Sequence, residues 1–303
     1  MSEENHDGGL DRRSFLKGAA AAGAAAGMTM AAATKVAAAA EQKPAAADTG
    51  DANWAGAKFI PRPGSDFMLD VIKSLNIDYV ASNPASSFRS LHESIVNYGG
   101  NRKPEFLTCM HEESSVAIAH GYAKAAGKPM AVLAHGSVGL QHASMAVYNA
   151  WADRVPVMLL VGNGVNAEKR RPGVEWTHSV QDPGALVRDF TKWDDQPASL
   201  QHFAESTVRA YKMMMAPPQE PVLIACDIDL QEEPIHDQKL SIPKLSLSSP
   251  PQADQHAIRE AAKMLVGAAN PVIIADRATR SQEGVEALVR LAETLQCPVV
   301  NTG

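Results

Sequence analysis

Short apolar runs alternate with longer segments of helical periodicity over most of the chain, beginning near residue 59. The runs at residues 131–134 and 157–161 lack alternating polar positions, which is typical of central strands buried on both faces. The longer segments carry apolar residues at the spacing of amphipathic helices. Strands are predicted at residues 77–81, 106–110, 130–134, 155–161, 222–226, 271–275 and 298–300, and helices at 66–75, 88–98, 112–126, 143–151, 201–214, 257–266 and 283–295.

This alternation predicts an α/β fold with a doubly wound parallel sheet, because right-handed crossovers place a helix between consecutive parallel strands. The first domain is predicted to cover residues 59–227. Residues 228–252 are rich in proline and are interpreted as a surface linker. Residues 253–303 would form a second, Rossmann-like α/β domain, and it is predicted to be incomplete because it ends after one strand–helix–strand unit.

The amino-terminal residues have the layout of an export signal. Arg12 and Arg13 precede Phe15 and Lys17, and a run of Ala, Gly and Met follows. This predicts a twin-arginine signal peptide at residues 1–40, a flexible lead at 41–58 and a periplasmic protein. A disordered alanine-rich tail or a weak membrane anchor is the alternative. A stable membrane span is disfavoured, because the run is shorter than the roughly 20 apolar residues that a span needs.

Composition narrows the class of protein. The chain has 303 residues, of which 45% are hydrophobic and 20% charged, and its net charge is -6. These values predict a globular protein with no nucleic-acid partner, since no basic surface is available. Cys109, Cys226 and Cys297 are few, far apart and set in apolar runs, so we expect buried thiols with neither a disulfide framework nor a metal site.

Glu112 stands where a predicted strand ends and a predicted helix begins. In open α/β sheets ligands bind beyond the carboxyl ends of the strands, so this carboxylate is a candidate for ligand binding. The simpler alternative is that Glu112 and Glu113 only stabilise the helix dipole as acids of the first turn.

The stretch from His111 to Lys124 closely resembles the cofactor-activating helix of thiamine diphosphate enzymes related to acetolactate synthase and benzoylformate decarboxylase. The resemblance continues as far as Gly162 and includes the segment from Asn149 to Asp153. It implies that residues 59–227 form the pyrimidine-binding domain. It also implies that Glu112 shares a proton with the aminopyrimidine ring of thiamine diphosphate, a role that requires a carboxyl group with little access to water.

Two further catalytic residues follow from the resemblance. Ser86 lies in a loop similar to that of benzoylformate decarboxylase, in which a Ser contacts the substrate carboxylate, although Ala85 stands where the family has Gly. A routine turn and helix cap is the alternative. His135 falls at the position of that decarboxylase's active-site His, which implies proton transfer at the substrate oxygen. Acetolactate synthases usually carry a hydroxyl residue there, so His135 favours decarboxylation or a related carboligation; a loop His bonded to backbone is the alternative.

The remaining predicted cofactor contacts are Asn83, Pro84, Gly139 and His142, and His142 departs from the Asn that many family members carry. His178 is close to a pocket-lining position of the family, but an ordinary surface contact is the preferred interpretation.

The Gly-Asp-Gly motif with a downstream Asn, by which this family binds Mg²⁺ and the diphosphate, does not occur in the sequence. The resemblance therefore implies that the Mg²⁺ ligands lie outside this chain, so no metal ligands are predicted in it. FAD, which some acetolactate synthase relatives bind, would depend on the incomplete second domain and has no direct support.

The sequence thus predicts the amino-terminal part of an exported enzyme that decarboxylates or ligates small 2-oxo acids and that is inactive as this chain alone. We expect a homodimer or homotetramer, or a separate chain that supplies the diphosphate site. The alternatives are one chain of a genuine two-chain enzyme and a non-catalytic binding protein that keeps the fold.

Overall fold

Six parallel strands form the main sheet. The computed structural model describes residues 61–164, 178 and 180–301. The spatial order of the strands is β2-β1-β3-β4-β6-β5, and every neighbouring pair is parallel. The strands are β1 (Tyr79–Ser82), β2 (Glu105–Thr108), β3 (Met130–Ala134), β4 (Val157–Asn163), β5 (Trp193–Asp195) and β6 (Val222–Asp227).

Helices cover both faces of this sheet, which confirms the predicted α/β class. Buried residues of α1 and α5 form one core with the sheet, and buried residues of α3 and α4 form a second core on the opposite face. The helices are α1 (Gly64–Ser74), α2 (Arg89–Glu93), α3 (Glu112–Ala126), α4 (Ser137–Ala152), α5 (Leu200–Met215) and α6 (Ile228–Glu232). A 3₁₀ turn, Ser86–Phe88, precedes α2 and a π-helical turn, Ser94–Tyr98, follows it, so the predicted helix at 88–98 consists of three helix types.

The two cores differ in side-chain size. The α1–α5 side contains large residues such as Phe203, Met68 and Leu69, all fully buried. The α3–α4 side is built mainly from Ala and Val, and Ala119 and Ala143 are both fully buried there. Small side chains let α3 and α4 approach the sheet and each other closely, because interiors pack to a fixed density.

The structure differs from the sequence-based boundaries at several points. The predicted strand at 106–110 ends at Thr108, and Met110 is 93% exposed. The edge strand β5 and the short helix α6 were not predicted. The predicted surface linker is wrong over its first residues, because Gln231 and Ile235 are buried. The Ile235 N–H also donates to the Arg62 carbonyl at 3.0 Å, which ties this segment to the first domain.

The second α/β unit contains α7 (Gln255–Gly267), β7 (Ile273–Ala275), α8 (Gln282–Leu295) and β8 (Val299–Asn301). Its two strands pair in parallel, as predicted. Cys297 is half-buried here, whereas Cys109 and Cys226 are buried as expected. The predicted signal peptide, the lead and most of the polar stretch that follows β4 lie outside the described residues. Across the part of the chain that is described, each helix is too short or too polar to cross a membrane.

Asp153 connects three elements at the end of α4. Its carboxylate accepts hydrogen bonds from His120 Nε2 at 2.8 Å and Lys124 Nζ at 2.5 Å, both on α3. Arg277, just after β7, donates to it at 3.4 Å. Burial raises the pKa of Asp153, but the hydrogen bonds from Lys124 and His120 outweigh this effect and lower the pKa to about 2.

We predict that Asp153→Asn lowers the free energy of unfolding at neutral pH by about 1 kcal/mol, a value reduced for solvent screening. The folded-state pKa is below the ordinary value of 3.8, so the stabilisation is present above that value and is lost as the pH falls toward 2. Urea unfolding of both proteins over this pH range measures the difference. The exposed Asp237→Asn is the matched control, and a constant difference at all pH values would contradict the prediction.

Candidate active site

The loops that carry the predicted site residues converge at one edge of the sheet. Strands β1, β3 and β4 end at Ser82, Ala134 and Asn163, and their parallel pairing puts these ends side by side. We call this the carboxyl edge. The loop after β1, the residue His135 after β3 and the start of α3 after β2 all lie there, which is where open parallel sheets bind ligands.

Glu112 is the first residue of α3, as the sequence predicted. The helix is capped by His111, whose Nδ1 accepts a hydrogen bond from the Glu113 N–H at 3.2 Å. Glu112 is only 7% exposed. Within the described residues its carboxylate has no hydrogen bond and no ion pair. Its oxygens are not among the fully buried atoms without a hydrogen bond, so the carboxylate stays open toward the carboxyl edge, where parallel sheets bind ligands.

Gly139, in the first turn of α4, lies directly against this carboxylate. A Cβ atom at this position would be 2.9 Å from Glu112 Oε1 and 2.8 Å from His135 Cβ. Real Cβ atoms essentially never make contacts this short, so only glycine fits. The same contacts show that Glu112 and His135 are close neighbours, although 23 positions in the chain separate them.

His135 is held by a residue that the sequence interpretation missed. Its Nδ1 lies 2.8 Å from Ser87 Oγ, and the same oxygen accepts the Gly136 N–H at 3.1 Å. The His178 ring is 4.8 Å from the His135 ring. His178 is therefore next to the predicted catalytic residue, which is closer to the site than the preferred surface-contact interpretation placed it.

The other predicted residues differ in position. Ser86 is exposed at the carboxyl edge, whereas its neighbour Ser87 is buried. Asn83 is half-buried directly after β1, and Pro84 is exposed. His142 is exposed on α4, and its ring lies 4.8 Å from the ring of the cap residue His111. All four residues therefore stay near the edge, but no described contact joins Ser86 to Glu112 or His135.

The sequence offered one unused signal for Ser87. Gly162 interrupts the apolar run of β4 near its carboxyl end, and a Cβ atom there would lie 2.3 Å from Ser87 Oγ. A glycine in an otherwise apolar central strand indicates a close backbone approach, here by the loop after β1.

Among the residues that the structure describes, no group of three or more His, Cys, Asp or Glu side chains could hold a metal ion.

The fold and this edge define a doubly wound α/β protein with a ligand crevice beyond its strands and a buried acid at a helix start. Comparison with known proteins gives the family. Residues 62–185 match the model of the thiamine pyrophosphate enzyme N-terminal TPP binding domain, and residues 258–303 match that of the central domain. The chain belongs to the thiamine pyrophosphate (thiamine diphosphate) enzyme family. Residues 9–29 match the signal sequence of the twin-arginine translocation pathway.

Individual relatives agree with this assignment. The chain is 24% identical over 253 residues to acetolactate synthase 3, chloroplastic, of Brassica napus, a match that covers 80% of this chain and 36% of the relative. It is 27% identical over 195 residues to benzoylformate decarboxylase of Pseudomonas aeruginosa, covering 64% of this chain and 36% of the relative. The chain therefore spans little more than a third of the length of these curated relatives.

Solved structures share the fold. Benzoylformate decarboxylase from Polynucleobacter necessarius gives a TM-score of 0.69 at 22% identity, with 80% of this chain and 44% of that chain covered. The thiamine diphosphate-dependent 4-hydroxybenzoylformate decarboxylase of Rhodococcus jostii RHA1 gives a TM-score of 0.67 at 20% identity, covering 79% and 44%.

We predict that Gly139→Ala destabilises the protein by about 1–3 kcal/mol, because the added methyl group must displace Glu112 or His135. Urea unfolding measures the change. Gly121→Ala is the matched control: it is also a glycine within a helix of the same layer, but a Cβ atom there would meet nothing within 4 Å. The control is expected to be stabilised by about 0.5–1 kcal/mol. Equal effects of the two substitutions would show that the contact around Gly139 is not tight.

Proposed function

We propose that this chain supplies the pyrimidine-binding side of a thiamine diphosphate-dependent enzyme that decarboxylates or ligates 2-oxo acids. The observation that carries the proposal is the position of Glu112, a residue only 7% exposed, whose carboxylate lies at the carboxyl edge and has no partner among the described residues. Membership of the family and the likeness to benzoylformate decarboxylase and acetolactate synthase support it.

The residues at the edge fit the aminopyrimidine ring of thiamine diphosphate. Glu112 is 7% exposed, and its carboxyl group would hold a proton in a hydrogen bond to a ring nitrogen. Gly139 lets the first turn of α4 lie directly against this carboxyl group, since a Cβ atom there would clash with it. Asn83, Pro84 and His142 would contact the cofactor from the flanking loops. When bound, thiamine diphosphate supplies a nucleophilic carbon that attacks the carbonyl group of a 2-oxo acid.

His135 and Ser86 are assigned to the substrate. The His135 imidazole would move a proton to and from the substrate's carbonyl oxygen, a common role of histidine in catalysis. The exposed Ser86 hydroxyl would donate a hydrogen bond to the substrate carboxylate. A histidine at position 135 favours decarboxylation over acetolactate synthase-type carboligation.

The residues of the carboxyl edge are not proposed to bind Mg²⁺ or the diphosphate of the cofactor. The curated relatives extend well beyond the matched region, since this chain covers 36% of their length. A further domain, or a separate chain, would provide oxygen ligands for Mg²⁺. FAD binding would depend on the second α/β unit, in which no described contact favours it.

Export to the periplasm is part of the proposal. The match to a twin-arginine signal at residues 9–29 supports it. Twin-arginine export carries folded proteins, so the cofactor would be bound in the cytoplasm before transit. The arrangement suits an enzyme whose cofactor is not made outside the cell.

We predict that Glu112→Gln weakens binding of the pyrimidine part of the cofactor by about 10-fold or more, because a hydrogen bond to a charged group contributes about 1.5–3 kcal/mol. The probe is 4-amino-5-hydroxymethyl-2-methylpyrimidine, titrated into the purified chain and followed by NMR chemical-shift changes. This fragment needs neither Mg²⁺ nor the diphosphate site, so the measurement addresses the described residues directly.

Glu113→Gln is the matched control for this test. Glu113 follows Glu112 in the same helical turn but is exposed, so its substitution is expected to leave the affinity unchanged. Equal binding by wild type and Glu112→Gln would contradict the assignment of Glu112. Absence of fragment binding by the wild type would favour a non-catalytic protein that keeps only the fold.

Self-association is proposed for the side of α3 and α4 that faces away from the sheet. Ile118, Met145 and Tyr148 are 45%, 58% and 44% exposed there, and we call these three residues the outer α3–α4 face. The two helices pack against each other, and exposed apolar residues on neighbouring helices are a feature of protein interfaces. The face lies on the helix that begins with Glu112, so a second copy docked on it would lie next to the cofactor site. We therefore propose a homodimer.

We predict that Met145→Glu shifts this dimer toward the monomer, because it places a charge in an apolar contact. The expected loss is at least about 10-fold in dimer affinity, measured by sedimentation velocity over a range of concentrations. Val96→Glu is the matched control, since Val96 is 39% exposed in the turn after α2 and outside the outer α3–α4 face. A wild-type protein that is monomeric at all concentrations would contradict the proposal of self-association.

A further inference from the structure

The Ser87 hydroxyl occupies a defined position between two polar groups. Ser87 is 3% exposed, and its Oγ lies 2.8 Å from His135 Nδ1 and 3.1 Å from the Gly136 nitrogen. This hydroxyl makes no other hydrogen bond to a described residue. The hydroxyl therefore has two partners, and both are at the carboxyl end of β3.

Two further contacts hold Ser87 in place. Gln231, buried on α6, donates from Nε2 to the Ser87 carbonyl at 3.0 Å and to the Cys226 carbonyl at 3.0 Å. Gly162 on β4 has no side chain, and the space that a Cβ atom would take there is filled by Ser87. Ser87 is thus fixed from α6 and from β4, independently of His135, so its hydroxyl offers a preformed partner to the imidazole.

The hydrogens available to Ser87, His135 and Gly136 determine which side chain donates the hydrogen bond between Ser87 and His135. The Gly136 N–H can only donate, so Ser87 Oγ accepts that bond. If His135 Nδ1 also carried a proton, Ser87 would accept twice and its own hydroxyl hydrogen would be left buried without an acceptor. If Nδ1 carries no proton, the hydroxyl donates to it, and the Ser87 hydroxyl, the Gly136 N–H and His135 Nδ1 are all satisfied. Buried polar groups are almost always satisfied, so the second arrangement is favoured.

We propose that Ser87 is a positioning residue, which holds the neutral imidazole of His135 in the tautomer with its proton on Nε2. A ring nitrogen that accepts a hydrogen bond from a fixed hydroxyl cannot carry the proton, so the opposite nitrogen must carry it. Together with the proposed function, this identifies Nε2 as the atom that would exchange a proton with the substrate. The tautomer depends on contacts within the chain, so it can be tested without any cofactor or substrate.

The test uses the full chain labelled with ¹⁵N in its histidine rings, without ligand. Two-bond ¹⁵N–¹H correlation spectra, recorded above the ordinary histidine pKa of about 6.5, distinguish a protonated from an unprotonated ring nitrogen. His135→Gln assigns the His135 signals, and the exposed His256 provides an internal reference for an unconstrained ring. We expect wild-type His135 to show an unprotonated Nδ1, with a smaller Nδ1–H population than His256.

Ser87→Ala is expected to remove this difference, so that the two tautomers of His135 approach the ratio of the reference ring. Ser90→Ala is the matched control, because Ser90 lies in the same segment and its hydroxyl has no described partner. A protonated Nδ1 in the wild type, or a wild-type ratio equal to that of His256, would overturn the proposal. An unchanged spectrum in folded Ser87→Ala would overturn it as well. The wild-type spectrum decides the question even if Ser87→Ala does not fold.

Discussion

The parallel ladder between β3 and β4 pairs Ala134 with Val161, and this register determines where His135 and Gly162 lie. Side chains alternate between the two faces of a strand, so a shift of one residue would turn the buried apolar set of either strand to the wrong face. The two helix layers prevent such a shift, because each fits a different set of side chains. The positions of the polar groups at the carboxyl edge are therefore a consequence of how the core packs.

Close approach distinguishes this edge from an ordinary loop region. Gly139 lets α4 lie against Glu112, and Gly162 lets the loop after β1 lie against β4. In both places a glycine brings an element from elsewhere in the chain into contact with a functional group. Substitutions at such positions act on geometry as well as on stability, because the neighbouring groups cannot move without disturbing a packed sheet.

Much of this arrangement could be predicted from the sequence because its signals are local. The helix Glu112–Ala126 and the strand Met130–Ala134 have the predicted bounds, since a capped helix and a fully apolar run are unambiguous. The edge strand β5 is short and polar, so it carries no apolar signal. Ser86 and Ser87 could not be distinguished, because which of two adjacent serines is buried depends on the contact with Gly162, far away in the chain. The contact between His178 and His135 could not be predicted either, because it joins residues that are far apart in the sequence.

The carboxylate of Glu112, which has no partner among the described residues, would couple ligand binding to the stability of the folded domain. A molecule that binds this carboxylate in the folded domain only would stabilise the domain by mass action. Under the proposed function, an empty chain and a loaded chain differ in how firmly they are folded when they meet a translocation pathway that accepts folded cargo. Cofactor binding and export would then be linked through one side chain.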